Sequence, residues 1–177
     1  TTFAHDASQY ISSFKYPIML TQVGNQVMSL TSKIEVGMNI TFFDRTDKEG
    51  FRVFTRGLSM ILVKAVRDIY GLEHDVIIEN SINKNFYCEF DDKKIEPTED
   101  VIKNIENKMR EIIAQDFIIE RKELNKYKAI KMFEKQGFFD KASMFRYRRA
   151  SNVNYYSSAG FVDYYYGYMP YKTGDID

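Results

Sequence analysis

The sequence predicts an α+β fold, with helices on one face of an antiparallel sheet. The main observation is the order of elements in residues 50–177, which runs helix, two strands, helix, strand, two helices and then strands. A second is composition, because 44% of the 177 residues are apolar and 15% are aromatic, which is enough for a buried core. A third is that no run approaches the roughly 20 apolar residues of a membrane span.

Charge and cysteine content limit the binding partners and the cellular compartment that we expect for the protein. Lys and Arg total 25 and Asp and Glu total 25, so any contact with nucleic acid or anionic lipid must use a local patch. The single cysteine, Cys88, excludes an intramolecular disulfide, and its apolar surroundings predict a buried structural thiol. The N-terminus lacks the pattern of a signal peptide. We therefore expect a cytoplasmic protein without membrane contact.

Residues 1–48 are predicted to form a short helix followed by three strands. The helix is indicated by apolar residues at helical spacing: Phe3, Ala7, Tyr10, Ile11 and Phe14. Extended segments at 18–23 and 27–30 flank a Gly24-Asn25 turn, and residues 39–43 form the third strand. The polar break at 44–50 predicts a domain boundary.

The next segment is predicted to be helix, hairpin, helix. A helix over 51–70 ends at Gly71, and strands at 74–80 and 85–90 flank turn formers at 81–84. Pro97 and Thr98 begin a second helix. Its predicted buried face consists of Val101, Ile102, Ile105, Met109, Ile112 and Ile113.

The last third is predicted to contain a strand at 117–121 and helices at 125–136 and 139–149. Gly137 closes the first of these helices. After Asn152 the chain is strand-like, and it holds seven of the thirteen tyrosines between Tyr155 and Tyr171. These tyrosines indicate either packing at a core or interface or the lining of a ligand cleft.

No complete catalytic apparatus is evident in the sequence. None of the nine glycines belongs to a phosphate loop, and His5, His74 and Cys88 are too scattered to predict a metal site. The best local basic patch is Arg146, Arg148 and Arg149, with Tyr147 interleaved and Lys141 upstream. Such a patch is either a candidate nucleic-acid surface or a solvated helix end.

Several motifs occurring in order resemble the second additional domain of threonyl-tRNA synthetases. They are Thr55-Arg56-Gly57-Leu58-Ser59-Met60-Ile61-Leu62, Ile82-Asn83-Lys84-Asn85-Phe86-Tyr87-Cys88-Glu89-Phe90, the helix that follows Thr98, and Ala129-Ile130 to Phe133 followed by Gly137 and Lys141. The match covers about residues 50–177. Residues 1–48 resemble the later portion of a TGS domain, a β-grasp module, without its first hairpin.

This resemblance implies an editing domain that has lost its metal-type signature. In the synthetases the signature is His-x-x-x-His on the first helix and Cys-x-x-x-His near the end. Here the first pair falls on Arg56 and Met60, or on Gly57 and Ile61 one residue later. The second pair falls on Tyr165 and Met169. The resemblance therefore implies a domain without metal.

The same pattern also resembles the N-terminal half of uridine-kinase-like proteins of the phosphoribulokinase/uridine kinase family. It rests on the helix from Arg56 to Ala65 without histidines, on Asp140-Lys141, and on Asp163-Tyr164-Tyr165-Tyr166-Gly167-Tyr168-Met169-Pro170. The implied function is a non-catalytic regulatory or binding region. A covalently linked nucleoside kinase domain would follow residue 177, and only that domain would bind ATP and Mg²⁺.

Two other functions remain open. One is an RNA-binding or tRNA-binding module that acts through the basic patch, and the other is a metal-independent trans-editing domain. If the chain is the regulatory or binding region, the former editing cleft is expected to hold a nucleotide, an amino acid or an RNA end. Its candidate lining residues are Arg56, Lys64, Asp163 and Tyr165.

Overall fold

The first described part of the chain holds a three-stranded antiparallel sheet. A computed structural model of the chain describes residues 2–9, 13–82, 85–90 and 95–176. Its first elements are β1 (Thr2–Phe3), α1 (Ala4–Ser8), β2 (Ile18–Val23), β3 (Gln26–Met28), β4 (Lys33–Ile34) and β5 (Ile40–Asp44). The sheet order is β3-β2-β5, and β1 pairs with β4.

The strands of this part agree with the predicted hairpin and third strand, whereas the predicted helix is too long. The helix α1 ends at Ser8, and Phe14 lies outside any helix. Tyr10 and Ile11, also assigned to the predicted helix, lie outside the described residues. The short strands β1 and β4 were not predicted, because two residues carry no periodicity. The TGS-like assignment is not confirmed.

The long helix α2 (Lys48–Tyr70) begins inside the predicted break. A Cβ added to Gly50 would lie 1.7 Å from the Asp44 carbonyl oxygen, so the helix start is packed directly on the end of β5. Val53 of α2 shares a small core with Met19 and Leu20 of β2. Apolar contacts therefore join the two parts. The division into domains 1–48 and 50–177 stays a prediction.

A hairpin and a helix follow α2. The hairpin is β6 (Val76–Ile82) with β7 (Asn85–Phe90), and its turn at 83–84 lies outside the described residues. The helix α3 (Glu99–Ala114) begins at Thr98, whose hydroxyl accepts a hydrogen bond from the Val101 amide at 3.4 Å. Two sequence predictions are wrong here. Ile102 is 54% exposed rather than buried, and Cys88 is also exposed.

Ile102 and Cys88 are exposed for related reasons. The core between α2 and α3 buries Ile105 and Ile112 and also packs against Val101, Met109 and Ile113, whereas Ile102 stays in solvent. Most of β7 is exposed as well, since it pairs only with β6 in a two-stranded sheet. An apolar stretch of sequence predicts burial only when another element covers it.

The last part combines two helices with a second three-stranded sheet. It comprises β8 (Glu120–Asn125), α4 (Lys126–Lys135), α5 (Phe139–Tyr147), β9 (Asn152–Ser158), β10 (Phe161–Asp163) and a 3₁₀ turn (Thr173–Asp175). The sheet order is β10-β9-β8, and all pairs are antiparallel. Its main core includes Phe133, Phe138 and Phe145. The α+β class with antiparallel sheets is thus confirmed.

The strand predicted at 117–121 begins too early. Ile118 forms an isolated bridge with Lys172, and the ladder to β9 begins only at Glu120. The predicted segment runs beside the C-terminal segment instead, where the Tyr171 carbonyl accepts a hydrogen bond from the Ile119 amide.

Among the described residues, no helix has both the length and the apolar content of a membrane-spanning segment.

Candidate functional site

A cavity of about 490 Å³ lies between α2, β6, the start of α5 and the end of β10. Val63 and Arg67 contribute from α2, and Val76 and Ile78 from β6. The remaining wall includes polar or charged groups on segments far apart in sequence: Glu73, Asp75, Asp140, Lys141, Asp163, Tyr164 and Tyr165. A mostly apolar cavity with a few convergent polar groups is typical of a small-molecule or chain-end site.

The strongest polar feature of the cavity is the ion pair between Lys141 and Asp163. Asp163 is fully buried, and its Oδ1 accepts hydrogen bonds from the Lys141 ammonium and from the Tyr164 amide, the latter at 2.6 Å. Burial raises the pKa of the Asp163 carboxyl, and the Lys141 charge opposes that shift. The Lys141 side chain keeps 22% exposure, so it is the member of the pair that faces the cavity.

Tyr165 adds a second proton-bearing group beside Asp163. Burial and the negative charge of Asp163 raise the pKa of the Tyr165 hydroxyl well above its usual value. The phenol therefore stays protonated at physiological pH and can donate a hydrogen bond. The Lys141 ammonium also lies 5.9 Å from the Tyr165 ring centroid, so the three side chains form one cluster.

A buried arginine forms the back of the same cavity. Arg67 is only 4% exposed, and it donates hydrogen bonds to the Gln136 carbonyl at 2.5 Å and to Asp75 at 2.9 Å. Its guanidinium lies 3.4 Å from the centroid of the Phe138 ring, and the Lys141 ammonium lies 4.2 Å from the same centroid. Phe138 thus orients both cations through its π face.

The structure brings together only two of the four predicted cleft residues. Asp163 and Tyr165 line the cavity, whereas Arg56 and Lys64 do not. Arg56 donates a hydrogen bond to the Tyr168 carbonyl at 3.1 Å, and burial lowers its pKa. Lys64 pairs with Asp68 at 2.9 Å along the surface of α2. Both therefore serve local packing, while Asp163 and Tyr165 belong to the candidate site.

The positions at which the resemblance expects metal ligands do not fit a metal ion. Met60 and Met169 are 2% and 4% exposed and pack in one apolar core, and Ile61 is buried in another. A Cβ added to Gly57 would lie 2.5 Å from Pro170, so that position has no room for a ligating side chain. None of these residues supplies the nitrogen, thiolate or carboxylate that zinc requires.

The three arginines of the predicted nucleic-acid patch lie at and just beyond the end of α5. Arg146 pairs with Glu134 at 2.5 Å and remains largely exposed. Arg148 is half-buried, and its guanidinium donates to the Tyr164 hydroxyl. Arg149 is exposed. The patch therefore adjoins the cavity wall through Tyr164, although its own side chains lie outside the cavity.

Sequence reasoning missed Arg67, Asp75 and Phe138, and it placed Lys141 in the basic patch and in the family motifs without giving it a role in the cleft. For Arg67 there was a signal: a cation on the otherwise apolar face of α2 must find a partner. The pattern could not tell which partner, because Gln136 is 69 residues away.

These features define a class, namely an α+β protein with a cavity that combines a buried ion pair and a protonated tyrosine.

Known proteins similar to the chain are threonine–tRNA ligases. The one from Thermotoga petrophila is 31% identical over 142 residues, which is 80% of this chain and 22% of that ligase. Those from Sulfurihydrogenibium and Clostridioides difficile are 27% and 28% identical over 80% and 82% of this chain. No family model matches the chain.

The chain spans less than a quarter of the length of these curated relatives. It is thus similar to one region of threonine–tRNA ligases. The prediction of a uridine or nucleoside kinase, a transferase, is wrong, because the relatives found are threonine–tRNA ligases. ATP, Mg²⁺ and a linked kinase domain were expected only because of the kinase prediction, so that expectation no longer has a basis.

Proposed function

We propose that the chain is a tRNA-directed module whose cavity receives the aminoacylated end of a tRNA and promotes hydrolysis of its ester without a metal ion. The observation that carries this proposal is the Lys141–Asp163 pair at the cavity, in a chain similar to threonine–tRNA ligases. The cavity volume of about 490 Å³ suits an amino acid and part of its ribose.

In the proposed reaction Lys141 stabilises negative charge. An ester carbonyl oxygen bound at the Lys141 ammonium gains charge as water attacks the carbonyl carbon, and a nearby cation in a partly dry site lowers that barrier. The tetrahedral intermediate then breaks its bond to the ribose oxygen. One water is consumed, the free amino acid and a ribose hydroxyl form, and the protons pass through solvent.

Asp163 acts as a positioning residue in this scheme. It is fully buried, so it holds the Lys141 ammonium in place rather than meeting water itself. The Tyr165 phenol stays protonated, because burial and the negative charge of Asp163 raise its pKa, and it helps to hold Asp163 in place. The absence of a metal step follows from Gly57, Ile61 and Met169 at the expected ligand positions.

The test is single-turnover deacylation of tRNA carrying threonine or serine, in the presence of EDTA. Serine is included because it differs from threonine by one methyl group, which a hydrophobic wall distinguishes only modestly. We expect Lys141→Ala to slow deacylation about 100-fold, which is typical for loss of one charge-stabilising donor. The matched control is Lys122→Ala, because Lys122 also makes an ion pair, with Glu120 at 2.7 Å, but lies on β8.

Two further variants guard against misfolding. Lys141→Ala leaves a buried carboxylate without its partner, so the Lys141→Met/Asp163→Asn double variant tests the same loss with a neutral site. Tyr165→Phe removes only the hydroxyl. Wild-type deacylation no faster than the uncatalysed reaction, or full activity in the folded double variant, would contradict the proposal.

A further inference from the structure

A second concave surface lies between α4 and α5, outside the cavity. This α4–α5 groove has a volume of about 370 Å³ and is lined by Lys126, Tyr127, Ile130, Lys131, Glu134 and Arg146. The Lys126 ammonium donates a hydrogen bond to the Arg148 carbonyl at 2.9 Å. That contact holds the start of α4 against the end of α5. Tyr147 and Arg149 flank Arg148 there, just outside the residues that line the groove.

The segment that carries the groove is basic, in a chain with zero net charge. Residues 126–149 contain eight basic residues and two acidic ones, a local excess of six positive charges. Glu134, the acidic residue in the groove, is already paired with Arg146 at 2.5 Å. Lys131 and Arg149 are exposed, and neither makes an ion pair within the described residues. Their charges are available to an anionic partner.

Two tyrosines, one in the groove and one beside it, are largely exposed to solvent. Tyr127 is 71% exposed and Tyr147 is 87% exposed. The Lys126 ammonium lies over the Tyr127 ring, 5.6 Å from its centroid, and most of that ring remains in solvent. Exposed rings interleaved with cations are the combination that binds single-stranded nucleic acid, since bases stack on rings and phosphates meet the cations.

We propose that the α4–α5 groove binds single-stranded RNA, with Tyr127 and Tyr147 stacking bases and Lys131 and Arg149 contacting phosphates. An acidic peptide would use the cations but would leave the two exposed rings without a role. The partner is therefore a polymer that alternates flat rings with negative charge. The choice of RNA over DNA rests on the proposed function, in which the substrate is a tRNA.

The groove is placed to deliver an RNA end to the cavity. Both are connected by α5, whose Lys141 lines the cavity and whose Arg146 lines the groove. The two positions are five residues apart on α5, which is an axial rise of about 7.5 Å and a rotation of about 140° around the helix. Arg148 provides the link between the two surfaces, because its guanidinium donates to the hydroxyl of Tyr164, a residue of the cavity wall. We expect a strand that leaves the groove past Arg148 to reach the cavity along this link.

The experiment measures binding of a labelled single-stranded RNA of about eight nucleotides by fluorescence anisotropy across a salt series. We expect Tyr127→Ala and Tyr147→Ala each to weaken binding about tenfold at every salt concentration. We expect Lys131→Gln and Arg149→Gln to weaken binding and also to lower the slope of log K against log salt by about 0.7 each.

Matched controls lie on α3. Arg110→Gln is the control for Arg149→Gln, because both arginines are exposed. Lys103→Gln is the control for Lys131→Gln, since both lysines are exposed on helices. The α3 variants should bind RNA like the wild type. Circular dichroism of each variant confirms that the fold is intact.

Three results would overturn the inference. They are no RNA binding at low salt, equal losses in the α3 controls, or an acidic peptide that binds as tightly as RNA and equally well to the tyrosine variants. The deacylation assay separates this inference from the proposed function. If RNA binding depends on the groove but no deacylation is observed, the groove inference holds and the proposed hydrolysis is wrong. If deacylation is unchanged in Tyr127→Ala and Arg149→Gln, the proposed hydrolysis holds and the groove inference is wrong.

Discussion

Asp175 is the residue whose protonation is most clearly linked to folding. It is 9% exposed in the C-terminal 3₁₀ turn, where its Oδ2 accepts a hydrogen bond from the Lys172 amide at 3.1 Å. Burial raises its pKa from 3.8 to about 6. The folded state therefore binds the proton more tightly than the unfolded chain, so Asp175 contributes stability at low pH that is lost as pH rises between 3.8 and about 6.

We predict that Asp175→Asn removes this pH dependence. An asparagine keeps the oxygen that accepts from Lys172 but carries no charge. Relative to the variant, the wild type should lose roughly 2 kcal/mol of unfolding free energy as pH rises from 4 to 6.5, after allowance for partial exposure. Urea unfolding of both proteins across this range measures the difference. A difference that stays constant with pH would contradict the assigned pKa.

At the same scale, two of the four predicted cleft residues line the cavity. Asp163 and Tyr165 were predicted from a resemblance of position. Their partner Lys141 was noted in the basic patch and in the family motifs but was not linked to Asp163, because 22 residues separate the two. A charge on its own predicts solvent exposure, and only the folded chain shows that it balances a buried carboxylate.

At the scale of elements, Arg67 joins α2 to the segment that links α4 and α5. We predict that Arg67→Ala lowers the free energy of unfolding by about 3 kcal/mol, because it removes two hydrogen bonds, one of which is the ion pair with Asp75, and a stacking contact with Phe138. Arg52→Ala on the same helix is the control, and its exposed pair with Glu49 should contribute less than about 0.5 kcal/mol. Chemical denaturation compares the two variants. Similar losses of unfolding free energy would contradict a stabilising role for the buried contacts of Arg67.

Element boundaries followed the strength of their local signals. The strands at 18–23 and 85–90 and the start of α3 after Thr98 were predicted well, since alternation and a capping hydroxyl act within a few residues. The start of α2 and the strand at 117–121 were misplaced. In both places apolar or polar composition reflects contacts with distant segments, namely β5 and the C-terminal turn.

For the whole molecule, we predict that the first sheet and α2 unfold together. Gly50→Ala should destabilise the protein by more than about 3 kcal/mol, because the new Cβ meets the Asp44 backbone. Gly24→Ala, in an open turn at φ 59°, should cost only about 1 kcal/mol. Hydrogen exchange should give similar opening free energies for amides of β2 and α2. Much earlier opening of β2 would instead support independent units divided at residues 44–50.

The sequence by itself determined the α+β class, the type of most elements, and the lack of a metal-ligand set at the positions its resemblance singles out. These properties depend on periodicity, caps and residue identity, which act over a few residues. Only the tertiary structure decided that Lys141 meets Asp163, that Arg67 closes the cavity, and that Arg56 and Lys64 stay outside it. These pairings join segments far apart in the chain, and no local pattern encodes which distant partner a buried charge will find.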